Sequence, residues 1–157
     1  MEILDSGERF EFETGAVRDM QEGKGRLDLV PLDIAIDIMA GYDTADALHW
    51  INEFVITGDE GVLLILIELF AKVRGWDMPT LLIEVSKHFE DGAKKYQIDN
   101  WKKGINARSF VNSSIRHYLK WLRGDEDEPH DRAFVWNLMA CIWTCKHKPE
   151  LNDYKKE

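Results

Sequence analysis

Gly41, Gly58, Gly75 and Gly124 each close a stretch whose apolar residues recur at helical spacing. The punctuation leaves little room for a sheet. The first stretch, 29–39, carries Leu29, Leu32, Ile36 and Met39 on one face, with Asp28 placed to cap it. The second, 43–57, carries Leu48, Ile51, Phe54 and Val55. The third, 59–74, is apolar on several sides, which predicts a central helix. Pro79 opens a fourth, reaching residue 96, with Leu82, Val85, Phe89 and Ala93 on its inner side. After a loop over 97–107, a fifth runs over 109–122. The acidic run Asp125-Glu126-Asp127-Glu128-Pro129 starts a last one, through residue 145.

Residues 1–28 are polar and glycine-bearing and read as an extended arm, with Arg9-Phe10-Glu11-Phe12 the only alternating stretch; 146–157 read as a polar tail. The expectation is one all-α domain over 1–157: a bundle of about five to six helices with an extended N-terminal arm. At 157 residues a chain buries roughly 70% of its unfolded surface, so no metal or disulfide is needed to hold it.

Net charge excludes one class of partner. At −9 the chain lacks the basic face by which a general nucleic-acid binder releases counterions. A small anion remains possible, because a local basic patch or a bound metal reverses the field. The longest apolar run, 62–67, is far short of the ~20 residues of a membrane span, and the acidic N-terminus is no signal peptide. Cys141 and Cys145 lie four apart on one helical face; they suit neither a disulfide nor a zinc pattern and read as reduced core thiols. A cytoplasmic location follows as an expectation.

Polar residues gather in two helical sets. Glu84, His88, Asp91 and Lys95 share a face of the fourth helix, and Asp127, His130 and Asn137 share a side of the last, with Asp131 one step round. Each set alone is also what a solvated face or a helix N-terminus looks like. Together, carboxylates on facing helices are how helical bundles build metal sites, and Mg²⁺ takes such oxygen ligands while keeping waters for phosphates. Asn137 lies amid Val135, Trp136, Leu138 and Met139, where a buried amide needs polar partners. Between the acidic sets lie Lys94, Lys95, Lys102, Lys103, Arg116, His117 and Lys120, any of which could clamp a phosphate. Trp101 could stack a base or plug the core. In the arm, Glu22-Gly23-Lys24-Gly25-Arg26 sets glycines beside cations but is no Walker A loop.

Several blocks in order resemble a known family: Thr14-Gly15-Ala16-Val17-Arg18-Asp19, Gly23-Lys24-Gly25-Arg26-Leu27-Asp28-Leu29, Glu90-Asp91-Gly92-Ala93-Lys94-Lys95-Tyr96, Asn100-Trp101-Lys102-Lys103-Gly104, Ser113-Ser114-Ile115-Arg116-His117, and His130 through Trp136-Asn137. They are similar to a family common in bacteriophages and prophages, named for the N-terminal domain of dATP/dGTP diphosphohydrolases. The resemblance implies hydrolysis of purine deoxynucleoside triphosphates in a bacterial host. It also implies kinship with all-α MazG-like pyrophosphohydrolases, which hold magnesium on two helices, cleave between the α and β phosphates and bury helices between subunits. Their Glu-Glu-x-x-Glu run is absent here, although Glu128-x-x-Asp131 matches a second element. Many members have a second histidine where this chain has Ala133, which shifts the expected ligands from histidine to carboxylate.

The expected site therefore has Glu84, Asp91, Asp127 and Asp131 on Mg²⁺ or Mn²⁺ and His88 or His130 as ligand or base. Lys95 and Arg116 neutralise phosphates, and Lys24, Arg26, Asn100, Trp101, His117 and Asn137 hold the nucleotide. The expected assembly is a homo-oligomer. Two alternatives stand beside this reading. His130-Asp131 with His88 or His117 and a distal Asp153 would make an HD-type phosphohydrolase, and a nucleotide-binding protein without turnover would sense or sequester a nucleotide.

Overall fold

The computed structural model describes residues 2–156 and is built of six α-helices: α1 Leu32–Ile38, α2 Ala47–Thr57, α3 Gly61–Arg74, α4 Met78–Lys95, α5 Ala107–Arg123 and α6 His130–His147. α5 and α6 form the most extensive helix pair. Arg18 touches both Ser109 and Asn137, while His117 meets His130, so α5 and α6 run antiparallel. α2 and α3 pack as a second pair, and α4 lies along α6. The core knots around Phe70 of α3, whose ring meets Tyr118, Trp121 and Phe134 edge-on at 6.1, 5.0 and 4.8 Å; such geometry sets a positive ring edge against a negative face. Cys141 and Cys145 are free thiols, both buried.

Local chemistry moves several expected boundaries. Pro31 restricts the residue before it, so the first helix starts at Leu32, and the residues ahead form a 3₁₀ turn, Leu27–Leu29. Asp28 caps nothing there; its carboxylate takes the guanidinium groups of Arg26 and Arg108. α4 begins one residue before Pro79, with the Asp77 side chain accepting from the Thr80 amide at 2.8 Å. Its inner stripe is Leu81 and Val85, whereas Leu82 faces outward. α3 is apolar around its circumference but leaves Leu64 and Ile65 exposed.

The arm is more than extended chain. β1, Arg9–Glu11, pairs antiparallel with β2, Val17–Asp19, and the turn between them uses Gly15 at φ 91°, a conformation that glycine adopts without strain. The hairpin is fastened to the helices by side-chain amides. Asn100 accepts from the Val17 N–H at 2.9 Å and donates to its carbonyl at 2.8 Å, in place of a neighbouring strand. Asn112 accepts from the Leu27 N–H at 2.7 Å.

The tail is also structural. α6 continues to His147, a 3₁₀ turn spans Pro149–Leu151, and Asn152 and Tyr154 are buried. Asn152 donates to the Gly58 carbonyl at 3.0 Å, and the Tyr154 ring meets Phe54 at 5.4 Å. Among the described residues no helix is long and apolar enough to cross a membrane.

Candidate functional site

The arm, α4, α5, α6 and the 3₁₀ turn Asn100–Lys103 enclose a cavity of about 560 Å³, within the size range of small-molecule sites. One wall is aromatic. Trp136 and Trp101 are 6.3 Å apart and each lies within 6 Å of Phe89, while Trp101 is backed by Trp143 at 5.1 Å. Moving along α6 from Trp136 to His130 covers roughly 9 Å and passes from this apolar wall to a polar end.

Asn137 marks the transition. Its amide N–H donates to the Ala133 carbonyl at 2.8 Å and its oxygen accepts from Arg18 at 3.1 Å. Arg18, from β2, is the polar partner that an amide in this position requires. Its guanidinium also stacks near the rings of Phe110 and Trp136. Among the described residues none of its contacts is a carboxylate. Desolvation pulls its pKa down to about 10, with Arg116 pushing the same way. Arg116 is similarly placed: one nitrogen donates to Gln21 at 2.8 Å, and the other is buried without a hydrogen-bond partner. Two desolvated cations thus line one cavity without a salt bridge among the described residues, Glu128 acting on Arg116 only through space. Neither the hydrophobic pattern nor the charge count singles out Arg18; the signals available were its place in the block Thr14-Gly15-Ala16-Val17-Arg18-Asp19 and the need of Asn137 for a partner.

Beyond them lies an imidazole–carboxylate cluster. His117 Nδ1 and His130 Nδ1 face each other at 2.9 Å. Glu128 Oε1 is 3.7 Å from the first and 3.9 Å from the second. Asp127 Oδ1 lies 2.6 Å from His130 Nε2, and its other oxygen is 3.6 Å from Lys120. Burial keeps His117 neutral, well below the usual imidazole range, and Arg116 and His130 add to the effect. The first residues of the arm cross this end: Leu4 donates its amide to Glu128 Oε2 at 3.0 Å, and Lys95 donates to the Leu4 carbonyl.

The structure brings Lys24, His88, Lys95, Asn100, Trp101, Arg116, His117 and Asn137 to the cavity lining. It does not assemble the expected carboxylate set. Glu84 pairs with Lys87 at 2.9 Å, and Asp131 pairs with Arg74 at 2.9 Å. Asp91 does not line the cavity. Asp127 and His130, bound to each other, do not line it either, although Glu128 between them in sequence does. The groups at metal-ligand spacing among the described residues are His117, Glu128 and His130, and Asp125, Asp127 and His130. Sharing a face on one helix did not fix which side chains meet across helices, and Glu128, noted in the match Glu128-x-x-Asp131, was not among the expected ligands. Arg26 is held by Asp28 outside the cavity. Asn100 spends its amide on Val17 and serves to pin the arm.

His88 rests against Trp136, ring centroids 5.5 Å apart, with Nδ1 buried and unpartnered. Burial, then Arg132, Arg18 and Lys95, push its pKa down to about 3. Asp153 accepts from the Asn106 side chain and the Arg108 amide, at 3.0 and 2.7 Å. That places it at the start of α5, about nine residues or ~14 Å along the helix from His117. An HD arrangement through Asp153 is therefore not formed, and Asp131 turns to Arg74 instead of joining His130.

The family model for "dATP/dGTP diphosphohydrolase, N-terminal" matches residues 63–154, more than half of the chain. The chain belongs to this family. The matched span holds α4, α5 and α6 and so all of the aromatic wall, Arg116 and the imidazole–carboxylate cluster; Arg18 and the rest of the arm lie outside it. No curated protein and no solved structure matches the chain.

Proposed function

We propose that this member of the dATP/dGTP diphosphohydrolase family binds a purine nucleoside triphosphate in the cavity and hydrolyses it to the monophosphate and pyrophosphate. The observation that carries the reading is the pair Arg18 and Arg116, two desolvated guanidiniums that form no salt bridge among the described residues, beside an aromatic wall. A cation removed from water is costly unless an anion joins it, and guanidinium geometry matches phosphate. Trp101, Trp136 and Phe89 offer flat faces to a base. Lys24, Lys95 and Lys120 add positive charge to the same lining.

A divalent ion, Mg²⁺ or Mn²⁺, would polarise a phosphate and lower the pKa of an attacking water. The residues at metal-ligand spacing beside the cavity are His117, Glu128 and His130, a set that suits Mn²⁺ better than Mg²⁺. Arg18 and Arg116 hold the phosphates between that end and the aromatic wall. His88, kept neutral by burial, presents an unpaired ring nitrogen to the lining and can hydrogen-bond substrate without adding charge.

The test is product analysis over a panel of deoxy- and ribonucleoside triphosphates with each metal. Deoxypurine monophosphate and pyrophosphate are expected. Nucleoside plus tripolyphosphate would overturn the proposed bond, and binding without turnover would overturn catalysis. Arg18→Lys and Arg116→Lys keep the charge and lose the fork. Each is expected to weaken triphosphate binding by about 10- to 100-fold, the scale of one charge-assisted hydrogen bond.

A further inference from the structure

Three potential ligand atoms, from His117, Glu128 and His130, lie within 4.8 Å of one another beside the cavity. Asp127 lies 2.6 Å from His130 Nε2; the tautomer that carries its proton on Nε2 donates it to Asp127 and leaves Nδ1 as an open lone pair. That lone pair faces His117 Nδ1 at 2.9 Å. Two nitrogens bound at right angles to one ion, each about 2.0–2.1 Å from it, are themselves ~2.9 Å apart. A carboxylate oxygen on the same ion must lie within about 4.3 Å of each nitrogen. Glu128 Oε1, at 3.7 and 3.9 Å, meets that limit. Its other oxygen is steadied by the Leu4 amide.

We propose that His117, Glu128 and His130 form a binding site for one divalent transition-metal ion, with Asp127 as the positioning residue that fixes the His130 ring. The inference rests on the proposed hydrolysis for the purpose of the ion, but not for its binding. Two imidazoles and one carboxylate favour Mn²⁺, Co²⁺ or Zn²⁺ over Mg²⁺, which prefers an all-oxygen shell. A carboxylate on the far nitrogen of a ligating histidine fixes ring and tautomer and raises its basicity. The neighbouring grouping of Asp125, Asp127 and His130 is the weaker candidate: Arg123 occupies both oxygens of Asp125, at 2.8 and 2.5 Å.

Co²⁺ titration of the metal-stripped full chain, followed by visible absorption and equilibrium dialysis, tests the site. One Co²⁺ per chain is expected, and millimolar Mg²⁺ should not displace it. His130→Ala and Glu128→Gln should each weaken binding more than 100-fold, Asp127→Asn by 10- to 100-fold, and Asp125→Asn not at all. In the unsubstituted protein, substoichiometric Mn²⁺ should broaden the imidazole resonances of His117 and His130, a readout that does not depend on any variant folding. Absence of Co²⁺ binding, its survival in His130→Ala, its loss in Asp125→Asn, or unbroadened His117 signals would each overturn the site. The hydrogen bond between the two rings would then be the whole explanation of their spacing. Metal-free binding of dGTP, lost in Arg18→Lys, reports on the nucleotide reading separately.

Discussion

His88 carries a charge penalty that sets how the protein answers to acid. Burial first, then the charges of Arg132, Arg18 and Lys95, hold its pKa down to about 3 against an ordinary 6.5, with Asp131 opposing them. An unfolded chain takes up a proton below about pH 6.5 that the native His88 refuses. Stability therefore falls as pH drops from about 6.5 toward 3, by up to ~1.4 kcal/mol per unit. Melting temperatures of chelator-treated protein between pH 7 and 5 should decline, and His88→Leu should make the decline shallower, leaving the part that buried His117 contributes. An unchanged slope would mean that His88 is protonated in the native state. The same residue shows where sequence legibility ended. Helical spacing placed His88 with Lys95, and the structure has both on the cavity. Glu84 and Asp91 shared that face by the same rule, yet Glu84 turned to Lys87, because spacing on one helix says nothing about the neighbour. Arg18 was hidden for a related reason: its partner Asn137 is distant in sequence, and only the arm's path joins them.

At the scale of elements, the glycines that ended the helical stretches were legible because their task is local. Gly58 and Gly75 both follow helices with positive φ, 70° and 80°, where a side chain costs about 1–2 kcal/mol. Their surroundings differ. A Cβ on Gly75 would meet open space, whereas one on Gly58 would lie 2.5 Å from the Tyr154 carbonyl oxygen. Gly75→Ala should thus cost about 1–2 kcal/mol and Gly58→Ala clearly more, by denaturant unfolding; equal losses would show that the tail does not pack on α2. The tail itself was misread as polar because its buried members, Asn152 and Tyr154, are flanked by charge. Asp153 serves the start of α5, so Asp153→Ala should cost roughly 0.5–2 kcal/mol and leave nucleotide hydrolysis per folded molecule unchanged. Loss of hydrolysis with intact stability would return Asp153 to the catalytic candidates.

For the molecule as a whole, the all-α architecture was readable from periodicity; of the small hairpin only β1 showed, as the alternation Arg9-Phe10-Glu11-Phe12, while β2 and the pairing carry almost no pattern. That hairpin delivers Arg18, with Val17 and Asp19, to a cavity whose aromatic wall comes from the second half of the chain. Exposed Leu64 and Ile65 on α3 and Leu82 and Ile83 on α4 accompany the expectation of a homo-oligomer. Light scattering at micromolar concentration should return a mass above that of one chain, and a single-chain mass would remove that expectation. The aromatic wall has a use at the bench. Two of the six tryptophans, Trp101 and Trp136, line the cavity, so the protein carries its own fluorophores where a purine would stack. Emission excited at the indole band becomes a label-free reporter of occupancy, and Trp101→Phe with Trp136→Phe supplies the dark control.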